Sequence, residues 1–437
     1  MGFFIFIVYN QFYFFEENFM QKKFLVPTLI GNILEFYDYC LYAYFASVIA
    51  KLFFPSSDKS TALIAAFSVF AVGFLMRPLG AILFGYLGDR YGRKKTLAYG
   101  IILMASSTVF VGCLPTYATL GAFAIVPLVL CRLIQGLAVG GEFSGSLVYM
   151  IEHAGNKRRG MYSSLGIFSA NVGVLFASCV ATLISKIFSE PELYAWGWRV
   201  PFLLGTFLGV IGFYFRLKMP ETPSFAALKE SQTILQNPVR VAFQQNSFQI
   251  LKGILLASLP ALGSYVLFTF FPTYLHTYLG VPLDKALLIN SFVLLLNITT
   301  LPFIGMLSDR YGRKPILILG AIGFCLFSYP LFLFILSGKT FSILIGQSVL
   351  AILLCFVTSV APAVLVELFP TNIRYTAVSF PYNVANSVFG GTAPMVVAYL
   401  IANTGSLLAP SFYLIAASIV MLMILLNIRE TYQLQLA

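Results

Sequence analysis

Charge is scarce in this chain. Only 10% of its 437 residues are Asp, Glu, Lys or Arg, against roughly a quarter in soluble domains, and 59% are hydrophobic, with a mean hydropathy of +0.88. Such a composition excludes a protein dissolved in water. Histidine and tryptophan occur twice each, so His153 and His276 are the only imidazoles available to a Ser/His/Asp or metal-ligand grouping, and no such grouping is evident. No Walker phosphate loop occurs, and the six cysteines show no Cys-x-x-Cys spacing. These absences argue against an enzyme, an ATP-driven pump, a metal site or a disulfide framework. The reading is of a non-enzyme with no cofactor, powered by a proton gradient.

In place of charge there are long apolar runs. A run of about 18 or more residues with few charges reads as a membrane-spanning helix. Twelve are expected, over 24–49, 61–88, 94–114, 120–149, 160–186, 198–217, 249–275, 284–307, 314–335, 342–367, 373–401 and 409–428. The strands of a barrel would alternate polar and apolar over about ten residues, whereas these runs are apolar throughout, so backbone groups must be satisfied within helices. The expected fold is an all-α membrane protein of two pseudo-symmetric six-helix bundles.

The net charge of +11 is unevenly distributed. With the first residues placed inside, nineteen of the 27 Lys and Arg fall at cytoplasmic ends, six in outer loops, and two, Arg77 and Arg132, inside helices. That bias is the positive-inside pattern, with both termini cytoplasmic in an inner (plasma) membrane of the bacterial type. Nucleic acid is excluded as a partner; the expected partners are the lipid bilayer, a small organic solute and a proton, with the chain working as a monomer.

An internal repeat organises the sequence. GYLGDRYGRKK (85–95) and GMLSDRYGRKP (305–315) match at eight of eleven positions, 220 residues apart. Each lies between the second and third helix of its half, which points to a parallel duplication with the solute bound between the halves. The expected divisions are an extension at 1–20, an N-terminal bundle at 21–217, a cytoplasmic linker with a short surface helix at 218–248, a C-terminal bundle at 249–428 and a tail at 429–437. The extension lacks the features of a signal peptide, and an equal reading is that translation begins at Met20.

Ionisable groups inside a bilayer are costly and mark ion or substrate pathways. Glu35 and Asp38, three apart on predicted helix 1, lie on one helical face with Tyr42 beyond, at a depth similar to Arg77 on helix 2 and Arg132 on helix 4. Asp38, then Glu35, is the first choice for carrying a proton, which would break a pairing with Arg77 or Arg132; the alternative is a permanent ion-pair network that holds helices 1, 2 and 4 together. Gln135 and Glu142 continue the polar stripe of helix 4. At ten residues from Arg132, Glu142 is too distant to pair with it and is assigned to an inner gate. The C-terminal half offers neutral groups instead: Tyr265, Asn290, Asn297, Tyr382, Asn383 and Asn386; Asn171 of helix 5 is a further candidate contact. Asn and Tyr also act as packing contacts between membrane helices.

Several separate motifs resemble the metabolite-proton symporters of the major facilitator superfamily, which include proline/betaine, α-ketoglutarate, citrate and shikimate transporters. They are GNILEFYDYCLYAYF (31–45), FLMRPLGAILFGYLGDRYGRKK (74–95), RLIQGLAVGGEFSGSLVYMIE (132–152), WGWRVPFLLG (196–205), PETPSF (220–225), GMLSDRYGRKP and ELFPTNIRYTA (367–377). The resemblance covers nearly all of 24–430. It implies alternating access, with gating by the loop residues Gly85, Asp89, Arg90, Gly92, Arg93 and Lys94, by their counterparts Asp309, Arg310 and Arg313, and by Glu367 and Arg374. Asp89 would meet the positive N-terminal end of helix 11 near Ile373, while Arg90, Arg93 and Lys94 stay at the surface. Relatives that sense osmolality often add a long coiled-coil tail, which is not expected here. The leaning is to a proline- or betaine-like zwitterion, since Glu35, Asp38 and nearby tyrosines suit a cation. The alternative is an organic acid such as α-ketoglutarate, citrate or shikimate; a channel or non-transporting receptor is the competing class.

Overall fold

The computed structural model describes residues 19–55, 59–155, 158–432 and 436; residues 1–18 of the expected extension and parts of the tail lie outside them. Among the described residues the chain is helical without strands. The spanning helices are α1 (Phe19–Tyr44), α2 (Lys59–Tyr91), α3 (Arg93–Cys113), α4 (Ile125–His153), α5 (Arg159–Ile187) and α6 (Arg199–Lys218). The second half has α7 (Ser247–Ser264, continuing to Leu279), α8 (Leu283–Tyr311), α9 (Arg313–Ile335), α10 (Thr340–Thr358, continuing as Ala361–Glu367), α11 (Arg374–Ala385, continuing to Thr404) and α12 (Ala409–Leu426).

Eleven of these helices are long and apolar enough to cross a membrane on that ground alone. The twelfth is α1, whose hydropathy is lowered by Lys22, Lys23, Glu35 and Asp38. Its place is fixed by packing: it lies on α5 and α6 as α7 lies on α11 and α12. The same correspondence links α2 on α4 to α8 on α10, and α3 on α6 to α9 on α12. The protein is thus a multi-pass membrane protein of two pseudo-symmetric six-helix bundles. They meet where α2 packs on α11 and, symmetrically, where α8 packs on α5.

Helix boundaries differ from expectation where local chemistry intervenes. The first run breaks at Phe45, after which Ala46–Phe53 forms a separate helix. α7 and α11 each contain a π-helical turn, at Tyr265–Phe270 and Asn386–Gly390. The linker holds two short helices instead of one, Pro223–Glu230 and Pro238–Gln245. Each begins at a proline, whose missing N–H is of no consequence in a first turn, behind a polar cap: Thr222 Oγ1 accepts from Phe225 N at 3.2 Å and Asn237 Oδ1 from Arg240 N at 3.1 Å.

Small residues determine how closely α2 and α4 approach. A Cβ on Gly136 would lie 2.0 Å from the carbonyl oxygen of Gly73, and one on Gly140 2.2 Å from that of Arg77. Lipid gives no hydrophobic drive for helices to associate, so this backbone contact supplies the packing that holds the pair. Gly136→Ala or Gly140→Ala must push the helices apart, an overpacking cost of about 1–3 kcal/mol. The expected result is a lowered thermal unfolding midpoint in detergent; an unchanged midpoint would show that α2 and α4 separate freely.

Candidate functional site

Two regions of polar residues stand out. One is a doubled charge network at the end of the bundles where the repeated loops lie. The other is a group of buried charges midway along α1, α2 and α4, with Arg216 reaching in from near the end of α6.

In the loop region the N-terminus of a helix leaves backbone N–H groups without intrahelical partners and carries partial positive charge. The Asp89 carboxylate accepts from the N–H groups of Tyr375 and Thr376, at 3.0 and 2.9 Å, at the start of α11. The expected contact of Asp89 with the start of helix 11 is present. Asp309 does the same in the other half, accepting from Gly160 and Met161 at the start of α5, both at 2.8 Å. Each aspartate therefore ties its own bundle to the opposite one. Gly85 allows the approach, since a Cβ there would lie 2.7 Å from Thr376 Cα, and Gly92 (φ +107°) turns the chain sharply into α3.

Behind each aspartate lies a buried set of ions. Arg93 contacts Asp89 at 3.2 Å and Glu152 at 3.5 Å, and Glu152 binds Arg374 at 2.9 Å. In the second copy Arg313 contacts Asp309 at 2.7 Å and Glu367 at 3.2 Å, and Glu367 binds Arg159 at 3.3 Å. The helix N-termini of α3 and α9 are occupied as well: Glu221 accepts from the N–H groups of Arg93 and Lys94, and Glu430 from those of Arg313 and Lys314. Glu221 lies outside the spanning helices, and burial pushes its carboxyl up from the ordinary range, partly offset by these donors and by Arg93.

The expectation that Arg93 stays at the surface is overturned. It is completely buried, because two carboxylates and the Gly88 and Thr371 carbonyl oxygens receive its guanidinium. Arg90 and Arg310 do remain exposed, against Tyr86 and Tyr91 and against Tyr311. Lys94 joins the network through its backbone N–H. The sequence reading missed Glu152, Arg159, Glu221 and Glu430 as site residues. A readable signal existed: Glu221-Thr222 and Glu430-Thr431 each follow the last helix of a half, and Arg159 and Arg374 each stand at the start of a corresponding helix.

The second region departs further from expectation. Glu35 and Asp38 are 1% and 3% exposed, yet among the described residues neither joins an ion pair. Both oxygens of Glu35 and Oδ1 of Asp38 lack a hydrogen-bond partner. Asp38 lies beside Thr108 on α3 and 3.2 Å from where a Cβ on Gly205 of α6 would be. The predicted pairing with Arg77 or Arg132 is absent because other groups take both arginines. Arg132 lies over the rings of Tyr42, Phe70 and Tyr39, at 4.6, 4.9 and 5.1 Å, and donates to Gln135 at 2.6 Å. Tyr39 and Tyr42 follow Glu35 and Asp38 by one helical turn, so Arg132 is displaced along α1 from the acids. Its Nε and Nη2 are buried without partners. Arg77 donates across the bundle boundary to Asn383 at 3.1 Å and lies over Phe74 and Tyr39.

Glu142 does not cross between the bundles. It pairs at 3.2 Å with Arg216 of α6, inside the N-terminal half.

The neutral candidates divide. Asn383 joins α11 to α4 and α2 by donating to Ser144 and accepting from Arg77, while Tyr265 and Tyr382 crowd the same guanidinium. Asn386 turns back to the Tyr382 carbonyl. Asn290 and Asn297 are packing residues of the second bundle, bonded to Gln347 and the Phe268 carbonyl, and to Cys355 and the Ala351 carbonyl. Asn297 also accepts from Asn171 across the boundary at 3.1 Å.

Family models match both halves: sugar (and other) transporter over 24–237 and major facilitator superfamily over 254–433. A proline/betaine transporter of Salmonella typhimurium is 34% identical over 419 residues, covering 94% of this chain and 84% of that protein. The chain belongs to the major facilitator superfamily. A glycine betaine/proline/ectoine/pipecolic acid transporter of Dickeya dadantii is also 34% identical, with 94% and 83% covered. Among solved structures, the proton:xylose symporter XylE bound to a bromodeoxyglucose shares the fold, with a TM-score of 0.79 at 21% identity and coverage of 95% and 97%.

Because each aspartate bridges the two bundles, any separation of the bundles at the loop end would have to break its contact with a helix N-terminus. Hydrogen bonds to a charged acceptor contribute about 1.5–3 kcal/mol, and each 1.4 kcal/mol is tenfold in a population. Asp89→Asn or Asp309→Asn is therefore expected to raise labelling of a cysteine placed at Ser379, buried against Ser144, by about tenfold. Unchanged labelling in both variants would show that these contacts do not hold the closed form.

Proposed function

We propose that this chain is a proton-coupled symporter that takes up a small zwitterion of the proline or betaine kind. It works by alternating access as a monomer in a bacterial-type inner membrane, with both termini cytoplasmic. The observation that carries the reading is the length of the resemblance: 34% identity to proline/betaine transporters over 94% of the chain, through both bundles.

The mid-bundle charges suit that cargo. Arg132 keeps Nε and Nη2 free to receive a carboxylate, inside a cage of Tyr39, Tyr42 and Phe70. One turn along α1, Glu35 and Asp38 offer negative charge for the cationic nitrogen. Two buried carboxylates without cations are strongly unfavourable when both are ionised, since an unpaired buried charge costs several kcal/mol. One proton relieves that repulsion, and Asp38 is the first site for it. The remaining charge then faces the solute, so solute and proton enter together. The Asp89 and Asp309 contacts act as paired inner latches that release when the loaded carrier turns inward.

Uptake into proteoliposomes, with proline, glycine betaine, α-ketoglutarate, citrate and shikimate as competitors, tests this reading. Proline or betaine should compete best, and a protonophore should abolish accumulation. The double variant Asp38→Asn, Glu35→Gln should lose proton-driven accumulation by at least tenfold. Competition by the organic acids alone would replace the zwitterion with an acid, and accumulation that survives in the double variant would sink the coupling assignment.

A further inference from the structure

Arg216 occupies an unusual position for a basic residue near the end of a spanning helix. It is completely buried, and its guanidinium reaches inward to Glu142 Oε1 at 3.2 Å. Its Nε has no partner, and neither does Glu142 Oε2. The guanidinium fits because Gly31 has no side chain: a Cβ there would lie 2.4 Å from Arg216 Nη2, 2.6 Å from Cζ and 2.7 Å from Nε. Gly31 and Glu35 are four residues apart on α1 and share a face. Arg216 therefore lies against the face that carries Glu35, about one turn, or 5.4 Å, away, between a carboxylate it holds and one it does not.

The groups facing Glu35 are Glu142 on α4, Arg216 on α6, Arg77 on α2, and Tyr375 and Tyr382 on α11. Of these, Arg77 is taken by Asn383. Among the described residues Arg216 is the cation left within reach, and Glu142 is the acid that faces Glu35 from another helix, with Asp38 on α1 itself.

We infer that Glu142 and Arg216 form a proton relay: once the proton taken up at Asp38 has moved to Glu35, three residues away on α1, the pair carries it toward the loop end through the interior of the N-terminal bundle. This rests on the proton-coupled reading above and adds the exit route. The exchange conserves charge. Before it, Glu35 carries the proton and Arg216 neutralises the Glu142 carboxylate. The O–H bond at Glu35 breaks, the proton binds Glu142 Oε2, and Arg216 turns from Glu142 to the newly ionised Glu35. During this exchange the two carboxylates share one proton and one guanidinium, so the transfer itself leaves no unpaired charge; the proton's later departure leaves Glu35 ionised, ready to accept the next one. The proton then leaves Glu142 when the loop end opens, and Arg216 returns.

The test uses the full chain in proteoliposomes with a pH-sensitive dye inside and labelled proline or glycine betaine outside, read as protons moved per solute. Removing both partners, Glu142→Gln with Arg216→Gln, avoids a stranded charge. That ratio is expected to fall at least tenfold, with partial recovery in Glu142→Asp carrying native Arg216. An unchanged ratio overturns the relay. So does a folded double variant, judged by size-exclusion chromatography, that exchanges no solute, because the pair is then structural. The parent reading fails separately: it falls if Asp38→Asn, Glu35→Gln leaves the ratio unchanged, whatever the relay variants do.

Discussion

A carboxylate seated on the first amides of a helix from the opposite bundle is the contact on which this architecture depends. It occurs twice, at Asp89 on α11 and Asp309 on α5. A helix N-terminus presents a fixed array of donors with partial positive charge, so the aspartate needs no mobile partner. Such a contact is strong while aligned and is lost as a unit when the helix moves. The surrounding ions hold the aspartates in place: Arg93 and Arg313 each bridge the aspartate to a glutamate that also binds the arginine opening the neighbouring helix. Removing one member of such a buried set costs about 3–5 kcal/mol, because a charge is left unpaired. The network thereby fixes the relative position of α2, α4 and α11 in one copy, and of α8, α10 and α5 in the other.

The mid-bundle region follows the opposite logic. There Glu35 and Asp38 are unpaired, and Arg77 and Arg132 are held by rings and amides. Aromatic faces and neutral amides stabilise a guanidinium less than a carboxylate does, which leaves it available to an incoming anion. On the function proposed above, a region that binds and releases cargo is not fully satisfied in itself. The loop-end network instead pairs its buried charges with one another, carboxylate to guanidinium.

Much of this was legible in the sequence. The apolar runs placed twelve helices, since lipid permits few other structures; the repeated loop exposed the duplication, and the resemblance to the superfamily implied the contact of Asp89 with α11. Depth along a helix was also readable, which is why Glu35, Asp38, Arg77 and Arg132 were singled out. Depth is only one coordinate. Partners depend on the rotation of each helix about its axis and on which neighbour it faces, and that turned Arg132 to Tyr39 and Tyr42, Arg77 to Asn383 and Glu142 to Arg216. Arg93 was misplaced for a related reason. The positive-inside pattern counts charges by loop and does not separate an arginine in water from one folded back under the helix ends.

The π-helical turns of α7 and α11 have a consequence of their own. Each extra residue in a helical turn shifts the angular phase of everything beyond it, so the two segments of one helix present different sequence positions to the same side of the bundle. Tyr265 opens one of these turns and Asn386 the other, beside the Arg77 and Tyr382 cluster. A simple helical wheel drawn through either helix would therefore assign the wrong residues to the lumen on one side of the turn. The two corresponding helices of the first bundle, α1 and α5, have no π-helical turn among the described residues. The duplicated halves have thus diverged in phase while keeping their contacts at the loop end.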